Sequence, residues 1–230
     1  MTAIQVGRLY SFMKKKTLII ATGNPGKQRE FAALLGENPE FTLTFVSSSD
    51  PPETGATFLE NARIKATANW ELNRAQDEAR AERIYLGEDS GIKVDALGGY
   101  PGVLSARMWA LEFRDRKFVA VDQDATTPPN VDAYNNGKLL SLLEGVSNRR
   151  ARYVSAIVCL DETGREVFSG TGTAEGRVSD SVRGTNGFGY DVLFIGDETG
   201  GKLTWGEVPP EEKCRVSHRT KAIQMLIGAL

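Results

Sequence analysis

Thr17-Leu-Ile-Ile-Ala-Thr-Gly-Asn-Pro-Gly-Lys-Gln-Arg-Glu30 changes its hydrophobic period midway, and that change sets the fold class. Leu18 to Ala21 is a continuous apolar run that stops at Thr22-Gly23-Asn24-Pro25-Gly26-Lys27, and apolar residues return at Phe31, Leu34 and Leu35. A short apolar run bounded by turn residues reads as a buried strand, and the return at helical spacing reads as an amphipathic helix. Strand, Gly-rich turn and helix N-terminus make a cradle in which backbone N–H groups and the helix dipole favour an anion. Lys27 adds a cation, and Thr22 and Asn24 add polar contacts. A tight strand-to-helix turn using Gly and Asn for local geometry alone explains these residues equally well. The spacing matches neither a Walker A loop nor the GxGxxG fingerprint.

Outward from this stretch, the chain reads as alternating elements. Phe41 to Val46 alternates apolar and polar residues, as a half-buried strand does. Thr57-Phe-Leu-Glu60 has the capping-box pattern and opens a helix expected to run to about Asn73. Residues 74–83 are charged and Ala-rich, a solvated helical extension. Ile84 to Leu86 is a short strand ending at the turn Gly87-Glu88-Asp89-Ser90-Gly91. Residues 111–131 show no clear period and read as an excursion. Tyr134 to Leu143 is helical, with its leucines inward. Ala151 to Leu160 and Glu166 to Ala174 flank Asp161-Glu-Thr-Gly164 as a hairpin. Val192 to Ile195 is a last strand, and a helix from about Ser217 turns Ala222, Met225, Leu226 and Ala229 inward. The expected fold class is α/β, an elongated mixed sheet flanked by helices.

With 230 residues, 40% hydrophobic and 25% charged, the chain suits one globular domain. Residues 1–12 read as an N-terminal extension and 13–230 as the domain. A net charge of −2 argues against broad binding to nucleic acid or anionic membrane. No apolar stretch approaches the ~20 residues that span a bilayer. No signal peptide is evident. Cys159 and Cys214 have no metal or redox spacing, which fits free thiols in a reducing cytoplasm.

Unusual residues cluster in four segments: 22–27, 87–91, 184–191 and 213–219. Glu88 and Asp89, with Glu53 on a separate loop, could offer oxygen ligands to Mg²⁺ opposite the phosphate cradle. Taken alone, a polar turn at Glu88-Asp89-Ser90-Gly91 accounts for these two acids better. Phe188-Gly-Tyr190 suits stacking on a planar base, although aromatics entering a strand are usually core. The single histidine, His218, stands beside Arg219 at a helix start with Lys213 upstream, a set of donors for anion or carbonyl groups or simply a solvated helix end. His218 has no Ser-His-Asp context.

Taken together, Thr22-Gly-Asn-Pro-Gly-Lys27, Glu53-Thr-Gly55, Phe58-Leu-Glu-Asn-Ala62, Asp89-Ser-Gly91, Pro101-Gly102, Ser105-Ala-Arg107, Gly187-Phe-Gly-Tyr-Asp191 and Ser217-His-Arg219 occur in an order that resembles the inosine/xanthosine triphosphate pyrophosphatase family. The resemblance covers Thr17 to Ala229. It implies two lobes around a central substrate cleft, a homodimer, Mg²⁺ dependence and hydrolysis of ITP, dITP and XTP to the monophosphate and pyrophosphate. Carried over, Thr22, Gly23, Asn24, Pro25, Gly26 and Lys27 hold phosphates, and Asp89 is the catalytic carboxylate and metal ligand, with Glu53 as a second ligand. Ser90 and Lys213 contact substrate. Phe188, Gly189, Tyr190, Asp191, His218 and Arg219 form the base pocket. The sequence departs from the family with Glu88 where a second Asp is usual, Pro52 before Glu53, and insertions at 74–83 and 111–131. The alternatives are a pyrophosphatase for other modified nucleotides and a nucleotide-binding sensor without turnover. A nicotinamide-dependent reductase lacks its fingerprint here.

Overall fold

The computed structural model describes residues 15–47, 49–74, 82–115, 117–120 and 126–230. The expected extension at 1–12, most of the charged segment 74–83 and residues 121–125 of the excursion lie outside the described residues.

The opening stretch forms β1 (Lys16–Ala21) and α1 (Pro25–Leu35). Asn24 caps α1 by accepting from Lys27 N–H at 3.1 Å, and Pro25 fills the first turn, where its missing N–H costs nothing. β2 (Phe41–Val46) pairs parallel to β1. Then α2 (Phe58–Asn73) opens with a complete capping box: Thr57 Oγ1 accepts from Glu60 N–H, and Glu60 accepts from Thr57 N–H.

β3 (Arg83–Val94) is four times the expected length, and Glu88-Asp89-Ser90 lies inside it rather than in a turn. Its first residues pair parallel with β1 up to Leu86, while its whole second half pairs antiparallel with β6 (Arg150–Leu160). Gly, Asp and Ser are poor strand formers. Pairing with a strand more than sixty residues later overrides that local preference. β6 continues through a hairpin into β7 (Glu166–Val178), followed by the edge strand β8 (Phe194–Gly196), so the sheet order is β2-β1-β3-β6-β7-β8.

The excursion 111–131 contains a second sheet rather than irregular chain: β4 (Leu111–Arg114) pairs with β5 (Lys117–Ala120). Phe113 and Phe118 face each other across it at 5.0 Å, and both meet the edge of Tyr100. Four-residue strands are too short to show a period by themselves. α3 (Val131–Leu142) then returns the chain, burying Leu139 and Leu143.

The short α4 (Pro210–Val216) precedes α5 (His218–Ala229). In α5 the inward residues are Arg219, Ala222, Ile223 and Leu226, whereas Met225 and Ala229, expected inside, are exposed. The buried stripe runs i, i+3, i+4, i+7 from Arg219. The helix phase is thus set by a charged residue that a hydrophobicity pattern places in solvent.

On one sheet face, Leu18, Ile20, Leu86 and Ile157 pack with α1 and α5. Farther along that face, Ile92, Val94, Ala151 and Tyr153 pack with α3, Phe194 and Trp205. Between these apolar clusters the same rows carry Glu88, Ser90 and Ser155. The opposite face holds Tyr85, Ala156 and Val158 against Ala62 and Ala66 of α2. The start of α5 lies directly on β7 at Gly172, where a Cβ would sit 2.1 Å from the His218 carbonyl oxygen and 2.5 Å from Ala222 N. Gly172 is in register with Ser155, and Ser155 with Ser90, so this contact sets the height of Arg219 over β3. Gly172→Ala should cost about 1–3 kcal/mol by overpacking and lower the melting temperature by roughly 2–4 °C per kcal/mol. Thermal unfolding followed by circular dichroism checks it, and an unchanged midpoint contradicts the close approach.

Candidate functional site

A cavity of about 770 Å³ opens where β1 ends and β3 continues without it. Every residue singled out from the sequence as catalytic, metal-binding or substrate-binding lines this cavity, except Gly26. Gly26 lies beneath Phe188, whose ring carbons would be 2.3–2.8 Å from a Cβ there. Its missing side chain makes room for an aromatic ring rather than for a ligand.

Because side chains alternate along a strand, neighbouring Glu88 and Asp89 face opposite sides of the sheet. They belong to two separate charge clusters. On the α1/α5 side, Arg219 is 1% exposed and pairs with Glu30, with Glu88 at 3.1 Å and with Ser90 Oγ at 3.0 Å. Lys213 pairs with Glu30 at 2.7 Å and with Asp191 at 2.5 Å. Lys27 reaches the other oxygen of Glu88 at 2.8 Å, and Ser155 Oγ donates to Glu88 at 2.8 Å. Three cations meet three carboxylates, as burial of charge demands.

Burial by itself raises the pKa of Glu30, but Arg219 and Lys213 overcome this and bring it down to about 2. Glu88 is likewise held well below the usual carboxylate range, because Arg219 and Lys27 outweigh its burial. Burial works against the Lys213 charge, and Asp191 and Glu30 more than restore it. His218 goes the other way: burial, and then the neighbouring Arg219 charge, hold it well below its ordinary value. Its imidazole is therefore neutral at neutral pH.

On the α2 side, Asp89 Oδ1 lies 2.7 Å from Lys65 Nζ, and Asp89 Oδ2 accepts from Asn61 Nδ2 at 3.2 Å. Lys65 also pairs with Glu53, whose second oxygen lies 3.0 Å from Arg107. Asn61 and Lys65 are one turn apart on α2, so both reach the same strand. Burial lifts Asp89 above the ordinary carboxylate pKa, with Lys65 opposing it.

At the remaining end, Phe188 flanks the cavity with Lys213 Nζ 4.9 Å from its ring centre. The backbone amides of this loop are already used. Phe188 N–H bonds Asp191, Gly189 N–H bonds Asp132, and Tyr190 N–H bonds Tyr153 Oη. Tyr190 is buried and donates its hydroxyl to the Ser105 carbonyl at 2.7 Å. Tyr153 stacks on His218 at 4.6 Å and on Trp205 at 5.2 Å. Arg219 Nε, His218 Nδ1 and Trp205 Nε1 are buried without a hydrogen-bond partner among the described residues.

The sequence pattern of the Ham1 family matches residues 18–229. The chain belongs to the Ham1 family. It is 37% identical over 213 residues to the dITP/XTP pyrophosphatase of Aquifex aeolicus, covering 93% of this chain and 96% of that one. A dITP/XTP pyrophosphatase of an Exiguobacterium species is 39% identical over 212 residues, covering 91% and 94%. Among solved structures, the Staphylococcus aureus Ham1 protein superposes with a TM-score of 0.68 at 30% identity, covering 92% and 96%. The nucleoside-triphosphatase / dITP/XTP pyrophosphatase from Mycobacterium abscessus gives 0.62 at 32%, covering 92% and 98%.

Several residues of this Ham1 site carry no signal in a motif scan. Glu30 lies one turn beyond Gly26 on the buried stripe of α1; a lone acid on that stripe was the available clue. Lys65 follows Asn61 at i+4 among alanines, a polar pair on an otherwise core-facing side. Tyr153 and Trp205 read as ordinary core aromatics. For Glu30, whose pKa falls on folding, stability is full above its unfolded value near 4.5 and is lost as pH drops toward about 2. Glu30→Gln should destabilise the protein by about 3–5 kcal/mol at neutral pH, because Lys213 and Arg219 keep buried charge without it. It should also flatten the acid limb below pH 4.5. Urea unfolding from pH 7 to pH 3 checks both, and parallel acid limbs in the two proteins contradict the assignment.

Proposed function

We propose that this Ham1 protein hydrolyses deaminated purine nucleoside triphosphates, dITP, ITP and XTP, to the monophosphate and pyrophosphate. The observation that carries the reading is one cavity that joins a carboxylate–lysine centre at Asp89 to the β1–α1 turn and to an aromatic recess with unpartnered donors. The full-length similarity to dITP/XTP pyrophosphatases supports it. In this reading residues 13–230 act as one domain, in two lobes with the cavity as the substrate cleft, and the protein works as a homodimer in the cytoplasm. No helix among the described residues is long and apolar enough to cross a membrane.

The donor set suits Mg²⁺. Glu53 and Asp89 converge on one ammonium, that of Lys65, so two hard oxygen groups already surround a cationic point. No group of three or more potential ligands gathers among the described residues. An ion held there would take only two protein carboxylates and would depend on water and substrate for its remaining oxygens. Six carboxylates and five cationic side chains line the cavity, so its wall has no positive surplus for a triphosphate. Asp89 and Glu53 would hold the ion, which supplies charge neutralisation along the phosphate chain.

Hydrolysis to pyrophosphate requires a water oxygen to bond the α-phosphorus as the bridging bond to the β-phosphate breaks, its electron pair leaving with pyrophosphate. Lys65 and Asn61 fix the two Asp89 oxygens, so the carboxylate is oriented before substrate arrives. Burial raises its proton affinity, which suits accepting the water proton. Thr22 to Pro25, Lys27 and Ser90 hold phosphates, and Lys213 and Asp191 brace the base loop. Arg219 Nε and the neutral His218 are the donors left for a 6-keto oxygen. Adenine would present an amino donor to them, which leaves buried groups unpaired.

Asp89→Asn, which keeps shape and removes charge, should lower pyrophosphate release about 10²–10⁴-fold, and EDTA should abolish wild-type release. Assays with Mg²⁺ titrated for both proteins decide this; a variant within a few-fold of wild type at saturating Mg²⁺ removes Asp89 from the chemistry. A panel of dITP, ITP, XTP, GTP and ATP should give kcat/KM for the deaminated purines at least tenfold above ATP. Equal efficiency on ATP contradicts the donor-lined recess.

A further inference from the structure

Ser105-Ala106-Arg107 is anchored by bonds that leave the Arg107 side chain untouched. Ser105 Oγ accepts from Ile92 N–H of β3 at 3.0 Å and donates to the Gly102 carbonyl at 2.5 Å. The Ser105 carbonyl accepts from Tyr190 Oη at 2.7 Å and from Asn135 Nδ2 at 3.4 Å. The segment is thereby fixed to the catalytic strand, the base loop and α3 at once. This delivers the Arg107 guanidinium to the cavity wall on the Asp89 side, with Nη2 3.0 Å from Glu53 Oε2.

The cavity cations differ in how free they are. Arg219 and Lys213 side chains are 1% and 5% exposed, and each is held by two carboxylates. Arg107 is 44% exposed, and Glu53 is its one charged partner among the described residues. An ion pair that exposed contributes little, so exchanging it for another anion costs little. A guanidinium presents a planar fork that matches two phosphate oxygens, which an ammonium cannot do.

We infer that Arg107 is a phosphate-binding residue whose guanidinium leaves Glu53 and grips the β- and γ-phosphates of the substrate. The orientation rests on the pyrophosphatase reading: with the base at Phe188 and His218, the Asp89 side of the cavity receives the phosphate tail. Ser105 is then a positioning residue that acts through the backbone.

The test uses Arg107→Gln and Arg107→Lys in the full chain with Mg²⁺, after matching melting temperatures show both variants folded. KM for dITP should rise about 10–100-fold in Arg107→Gln, the loss of one charge-assisted contact, with kcat within a few-fold. The inhibition constant for inorganic pyrophosphate should rise by the same factor, while that for dIMP stays put. Arg107→Lys should fall between, since it keeps charge and loses the fork. An unchanged KM overturns the inference, as does an equal loss for dIMP and pyrophosphate, which would mark a general disturbance of the cavity. A lower KM also overturns it, since the guanidinium would then only compete with substrate. If wild type releases no pyrophosphate from dITP, the pyrophosphatase reading itself fails. Calorimetric titration of inorganic pyrophosphate into wild type and Arg107→Gln still reads the contact, and equal affinities there reject it.

Discussion

Arg219 carries a full positive charge to a point 1% exposed to solvent, and the packing of three separate chain segments follows from keeping it there. A guanidinium removed from water must find anions and hydrogen-bond acceptors or the fold does not hold. Here α1 supplies Glu30 and β3 supplies Glu88 and Ser90, while α5 carries the arginine itself. Lys213 of α4 then shares Glu30 and ties in Asp191. The result is a neutral layer between two apolar clusters on the same sheet face. Such a layer adds little net stability over a hydrophobic one. Its effect is to hold polar groups rigid beside an open cavity.

The second constraint is the alternation of β3. Two adjacent acids are sent to opposite faces, and their surroundings push their proton affinities apart: Glu88 is held down by Arg219 and Lys27 against its burial, and Asp89 is lifted by burial. One carboxylate becomes a fixed counter-ion and the other a candidate proton acceptor. This separation of roles needs no difference in residue chemistry, only one step along a strand.

Much of the architecture was legible locally. The β1–α1 unit, the Thr57 capping box and the Asp161–Gly164 hairpin rest on contacts within a few residues, and each stands where its pattern places it. Failures came where distant contacts outweighed local preference. Gly87 to Gly91 reads as a turn until β6 pairs with it. The α5 face shifts because Arg219 is paid for by Glu30, far away in sequence. The β4–β5 hairpin depends on Phe113 meeting Phe118 and Tyr100.

By itself the sequence determined the alternation of strands and helices, the motif order that marks the family, and the residue types that line the cavity. These are properties of spacing and of side-chain chemistry. Only the tertiary structure decided that Glu88 and Asp89 lie in separate charge clusters, that the amides around Phe188 are already bonded, that Lys65 and Arg107 line the cavity, and that Glu30 pairs with two of its buried cations. The reason is physical: the pKa of a carboxylate and the freedom of a donor depend on what lies within a few ångströms and on how much water remains. Long-range pairing of β3 with β6, and the seating of α5 on Gly172, fix both.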